Sequence, residues 1–192
     1  MTRHIVLAVS VAALSLTLTT TAHAQAQAMP HFGISAGASI PESTFGESVN
    51  TGYNLNAMLN FTVPLSPLGF RFEGGLNRFD FSEGNGTGNV RVINGAANVV
   101  LTPSAVMTAK PYLIAGVGAY NVRTSIDNTG GVLTGAFTSE SSDTRLGFNG
   151  GIGLFFGLGP VGSMLEARYV TVNGKNGSGS LTYIPVSFGV TF

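Results

Sequence analysis

From Ile184 to Phe192 every second residue is large and apolar. Ile184, Val186, Phe188, Val190 and Phe192 are separated by Pro185, Ser187, Gly189 and Thr191. A two-residue period sends alternate side chains to opposite faces of an extended strand, whereas a helix needs a period near 3.6. The rhythm recurs along the chain. Phe32–Ser39 alternates Phe, Ile, Ala and Ala with Gly and Ser, and Tyr53–Val63 sets Tyr53, Leu55, Ala57, Leu59, Phe61 and Val63 against Asn54, Asn56, Met58, Asn60 and Thr62. Phe70–Asn77 sets Phe70, Phe72 and Leu76 against Arg71, Glu73 and Asn77. Its phase then slips at Phe79 and Phe81, and Gly74-Gly75 is the candidate bulge that absorbs the slip.

Four more segments complete the pattern. Val90–Leu101 opposes Ile93, Ala97, Val99 and Leu101 to Asn94 and Asn98. Pro111–Arg123 is apolar on both faces, so its faces stay unassigned. Arg145–Phe156 opposes Leu146, Phe148, Ile152, Leu154 and Phe156 to Arg145 and Asn149, and Met164–Thr171 opposes Leu165, Ala167 and Tyr169 to Glu166 and Arg168. With the last stretch this makes eight predicted strands and no convincing helix. The connections at 64–69, 102–110 and 157–163 are compact and rich in Pro and Gly, while those at 41–52, 82–89, 124–143 and 173–180 are more polar. That alternation predicts an up-and-down meander with the compact turns at one end.

Alternation alone leaves open which face is buried. A soluble lipophile-binding barrel keeps its apolar face inside; a membrane barrel turns it outward. The polar faces here carry Gly, Ser, Asn and a few Arg and Glu rather than a coat of Lys, Glu and Asp. Charged residues are 9% of the chain, against about 25% in soluble domains. The runs also match the ~9–11 residues with which a tilted strand crosses a bilayer. Arginine on the lipid face near the midplane costs about 2–4 kcal/mol, and backbone groups in lipid require a sheet without edges. The expectation is therefore an all-β, eight-stranded antiparallel up-and-down transmembrane β-barrel. Phe192 would be its last lipid-facing rung, joined at the rim by Phe32, Tyr112 and Phe156.

The first residues are set apart. MTRH, the apolar run Ile5–Leu18 and Ala22-His23-Ala24 have the layout of a secretory signal peptide. The run is too short for the ~20 residues of a spanning helix. Residues 1–24 are read as a cleaved signal peptide, with Ala26 and Ala28 as alternative ends, 25–31 as a short N-terminal segment and 32–192 as the barrel. Cysteine is absent, which excludes disulfides and thiolate metal sites. Acidic and basic residues balance, so nothing in the composition attracts nucleic acid.

The inward charges are the candidate site. Arg71 and Glu73 lie just past the first compact turn, Glu166 and Arg168 just past the third, on strands that face each other across the barrel. An eight-stranded lumen is only just filled by side chains. The four are expected to meet in a buried, charge-neutral network that fills the lumen; a proton or ion path and a catalytic carboxylate pair are the other readings. Arg123 and Arg145 are placed at the outer mouth, near Asp143 or anionic headgroups. The 124–144 loop, with Val132, Leu133 and Phe137, is the candidate surface for a partner.

As a set, PYLIAGVGAY, GFNGGIGLFF, LEARY and YIPVSFGVTF resemble the small outer-membrane β-barrel proteins of the OmpA/OmpX type, from Phe32 to Phe192. The resemblance implies residence in the bacterial outer membrane as a monomer among its lipids. It implies an assembly signal read by the insertion machinery, carried by Phe192 with Phe188 and Val190. It also implies a structural or surface-contact role without the peptidoglycan-binding domain of longer relatives; a narrow channel for small solutes is the alternative. Catalytic motifs are weak. His31 has no His or Cys beside it for a dyad or metal site, and Ser139, Ser141, Ser142 and Asp143 fit hydrophilic loop composition. Gly116–Gly118 and Gly150–Gly153 lack the following helix of a phosphate-binding loop. Neither an enzyme nor a cofactor is expected.

Overall fold

A strand in hydrocarbon can satisfy its backbone only if it has a neighbour on each side, and the chain meets that demand by closing on itself. The structure, a computed structural model, describes residues 30–82, 87–103, 109–128, 137–158, 161–174 and 179–192. The predicted signal peptide lies outside them. The elements are β1 (Pro30–Glu42), α1 (Ser43–Gly46), β2 (Gly52–Thr62), β3 (Leu68–Asp80), β4 (Thr87–Leu101), β5 (Ala109–Asn128), β6 (Phe137–Leu158), β7 (Val161–Val172) and β8 (Leu181–Thr191). The strands form a closed barrel in sequence order, β1 through β8. Closure is antiparallel, with Gly33–Glu42 of β1 against Thr182–Thr191 of β8. The Phe192 N–H donates to the Phe32 carbonyl at 2.8 Å and extends the seam by one bond.

The question of faces is decided by exposure. Leu55, Leu59 and Phe148 are 51%, 44% and 46% exposed on the outside of the wall, while Arg71 is 0% exposed inside it. A soluble barrel holding a lipophile would show the reverse. Among the described side chains of β1, β2, β4 and β6, the buried positions all fall on the inward parity that the sequence predicts. The faces of β5 are now assigned: Leu113 and Val117 point out, and Tyr112, Ile114, Tyr120 and Val122 point in.

Three expectations need correction. Gly74-Gly75 is no bulge, since the registers of β3 with β2 and with β4 run through both glycines without a break. Phe79 keeps the inward phase of Arg71 and Glu73 and is 0% exposed; the slip is a change in what the lumen contains. Tyr112 does not belong to the lipid-facing rim, because its parity on β5 turns it inward, where it is buried. Residues 124–128 and 137–143 are no loop: they pair as the far end of the β5–β6 ladder, up to Asn128 opposite Phe137. Val132 and Leu133 lie outside the described residues, as does the Phe137 side chain.

Position along the strands then gives the lumen an order. Toward the end with long connections, Phe79, Val90, Val92, Tyr120, Val170, Val172 and Tyr183 form an apolar cluster. The β1–β2 connection folds onto it. Val49 is buried and bridges to Phe81, and Phe45 meets Phe79 edge to face at 5.0 Å. Nearer the compact turns, Val100, Tyr112 and Ile114 form a second cluster with Phe155 packed against it.

Hydrocarbon around the wall makes an unusual stability pattern. Leu59→Arg should cost about 2–4 kcal/mol in urea unfolding from lipid vesicles. Leu65→Arg, at a turn residue that is 107% exposed, should fall within about 0.5 kcal/mol of the parent. Equal effects at the two leucines would contradict a lipid-facing wall.

Candidate functional site

Arg71 and Glu73 share the inward face of β3, and Glu166 and Arg168 share that of β7, because residues two apart on a strand point the same way. The barrel's width brings the two pairs together. Arg71 Nη1 donates to Glu166 Oε2 at 2.6 Å, and Arg168 Nη1 donates to Glu73 Oε1. Arg168 Nε lies 2.8 Å from Glu166 Oε1, so Glu166 stands between both arginines. The resulting order is Arg71, Glu166, Arg168, Glu73, with charges alternating in sign. All four are buried, and removal of one would leave an uncompensated charge.

Sequence reasoning misses the neutral residues that hold these charges. Tyr112 donates its hydroxyl proton to Glu166 Oε2 at 2.6 Å. Its ring stacks on Phe155 with centroids 4.2 Å apart, and the Arg71 guanidinium lies 5.5 Å from its centre. Arg71 Nε donates to Asn60 Oδ1 at 2.7 Å. The available signal is Asn60, opposite Arg71 in a simple hairpin register; Tyr112 is hidden because β5 is apolar on both faces. A separate lattice of short polar side chains lines β1, β2, β3 and β8. Ser187 donates to Asn54 Oδ1 and Ser39 to Asn77 Oδ1, both at 2.7 Å.

Glycine makes room for this filling. A Cβ on Gly153 would stand 2.2 Å from Tyr112 Cζ, and one on Gly151 would stand 2.6 Å from Arg168 Cγ. Gly151 and Gly153, on the inward face of β6, therefore serve close approach of lumen side chains, and the strand continues through them.

The remaining predicted positions separate. Arg145 points inward near the far end and pairs with Asp143, Nε to Oδ2 at 3.2 Å. Arg123 stands at the same end but on the outside: odd residues of β5 face outward, so it is exposed on the outer wall, where Nε donates to Asn121 Oδ1 at 3.3 Å. Phe188 and Phe192 are exposed on the outer face of β8, with Val190 half-buried on the same side. His31 is exposed at the start of β1, Ser141 and Ser142 are exposed on β6, and the Ser139 side chain lies outside the described residues. Among the described residues no group of three His, Cys, Asp or Glu could hold a metal ion.

Residues 10–192 match the family described as outer membrane protein beta-barrel domain. Comparison with curated proteins gave no match. Among solved structures, Neisserial surface protein A (NspA) is similar with a TM-score of 0.64 at 18% identity, over 84% of this chain and 95% of that one. A major outer membrane protein from Thermus thermophilus is similar with a TM-score of 0.62 at 14% identity, over 85% of this chain and 99% of that one. These two likenesses concern the fold.

Two substitutions probe the site. Glu166→Ala would strand Arg71 and weaken the hold on Arg168, and should cost about 3–5 kcal/mol in urea unfolding. Gly153→Val should also destabilise by displacing the Tyr112 ring, and the double variant Gly153→Val/Tyr112→Ala should recover part of that loss. A strictly additive double variant would show that the two residues are not in contact.

Proposed function

Because the chain belongs to the outer membrane protein beta-barrel domain family and so resides in the bacterial outer membrane, we propose that it is an integral barrel with a structural or surface-contact role and no catalytic activity, its lumen plugged rather than open. The observation that carries this reading is the row Arg71, Glu166, Arg168 and Glu73, held between apolar clusters on either side. An ion entering would have to break paired, buried charges and also pass the side chains packed above and below them. Both requirements oppose conduction.

The same row argues against catalysis. Each carboxylate is buried and engaged by guanidinium groups. Contacts outside the membrane would then come from the connections at the far end, including the tip of the long β5–β6 hairpin. Assembly would use the face formed by Phe188, Val190 and Phe192. Their place on the outer face of β8, next to the β1–β8 seam, suits recognition by the insertion machinery before closure. The residues before Pro30 would include the cleaved leader that routes the chain out of the cytoplasm.

The alternative, a narrow channel for small solutes, makes the opposite electrical statement. In planar bilayers the parent protein should give no steady conductance, whereas Arg71→Ala and Glu166→Ala should raise current events. A parent that already conducts steadily, with the variants unchanged, would replace the plug by a pore.

A further inference from the structure

The charges outside the lumen are not scattered. On the outer wall Arg78 of β3 is the register partner of Arg91 of β4, and Arg91 is the partner of Arg123 of β5. All three have outward parity, and Arg91 and Arg123 are exposed. Directly opposed residues have Cβ atoms about 4.5–5.5 Å apart, and like charges in that position repel. Three adjacent strands thus present three guanidinium groups in one cross-strand row. Its relief within the protein is slight. Asp80 approaches Arg78 at 3.6 Å in an exposed pair, which contributes little. Among the described residues no ion pair joins Arg91 or Arg123, and Glu140 stands one rung farther out, opposite Ser125.

The row has a defined place relative to the lipid-facing band. One rung inward the same ladder reads Leu76, Ile93 and Asn121; two rungs inward it reads Gly74, Gly95 and Ala119. The arginines of β3 and β4 are therefore the first charges beyond the apolar wall, at the depth of headgroups. The glycines add a second feature. A Cβ on Gly95 would meet nothing within 4 Å, and one on Gly74 only the Asn94 carbonyl at 3.9 Å. No contact inside the protein requires glycine there, although glycine weakens a strand. The result is a shallow depression below the arginine row, between the exposed Leu55 and Ile93 above and Leu59 and Phe72 below.

We infer that Arg78, Arg91 and Arg123 form a binding strip for the phosphate groups of an acylated outer-leaflet glycolipid of the lipid A type, with an acyl chain lying over Gly74 and Gly95. Arginine suits this task because its planar fork binds phosphate oxygens in pairs. A doubly phosphorylated headgroup supplies the negative charge that the row lacks and spans more than one guanidinium. Residence in the outer membrane places that lipid beside the strip. The inference is independent of whether the lumen is plugged.

The test uses the chain purified from membranes, folded in zwitterionic micelles, and labelled lipid A followed by fluorescence anisotropy. Binding should weaken as salt rises. The triple variant Arg78→Gln/Arg91→Gln/Arg123→Gln should bind on the order of a hundredfold more weakly, given about fivefold for each of three surface arginines. The triple lysine variant should fall between, because it keeps charge and loses the fork. Heat-modifiable gel migration reports folding; if the triple glutamine variant does not fold, Arg91→Gln and Arg123→Gln are read singly, each about fivefold weaker. Gly95→Leu should weaken lipid A binding by filling the depression. Unchanged affinity in the glutamine variants would overturn the strip. Competition by phosphatidylglycerol as effective as lipid A at equal charge would overturn the glycolipid assignment, and an unaffected Gly95→Leu the placement of the acyl chain.

Discussion

The β1–β8 seam is the contact on which everything else depends. In hydrocarbon an unpaired N–H or C=O costs several kcal/mol, and an open sheet would present a full row of them. Ten residues of β1, Gly33–Glu42, find partners in β8, and no edge remains. Closure also explains the composition. A wall that faces lipid on one side and its own small lumen on the other has no surface on which a dense coat of charge would be stable. Ionic groups are left three places: inside in pairs, beyond the apolar band on the wall, and in the connections.

The lumen solves a second problem, that of filling a narrow tube while pairing each buried charge. Arg71, Glu166, Arg168 and Glu73 neutralise one another in sequence, and Tyr112 and Asn60 occupy further hydrogen-bonding positions on the carboxylate and guanidinium. The Tyr112 ring fits because the facing strand offers glycine at Gly153. Small and large inward residues are thus complementary across the ladder, so the glycine richness of β5 and β6 is a packing property of the interior. The outside of the wall follows a different rule, and Gly74 and Gly95 face open space there.

Much of the fold is legible in residue order, because a two-residue period survives any tertiary arrangement. The alternation of Tyr53–Val63 or Ile184–Phe192 names the two faces without knowing their surroundings. Legibility ends where both faces are apolar. β5 hides its parity because its inward residues include Ile114 and Val122 as well as Tyr112 and Tyr120. The apparent slip at Phe79 has the same cause. Polar filling near Arg71 gives way to apolar filling near Phe79, and a change of lumen content imitates a change of phase. The paired far end of β5–β6 resembles a loop because its polar sequence carries no hydrophobic period.

The period, the number of strands, the outward direction of the apolar face and the four inward charges follow from residue order and charge scarcity, each a local property of the chain. Tertiary structure alone decided the partners. Glu166 stands between Arg71 and Arg168 only because β3 and β7 meet across a tube of this width. Arg78, Arg91 and Arg123 form one row only because the β3–β4 and β4–β5 registers bring them level on adjacent strands. Such adjacencies depend on distance through space between residues far apart along the chain, and a periodic pattern carries no record of that distance.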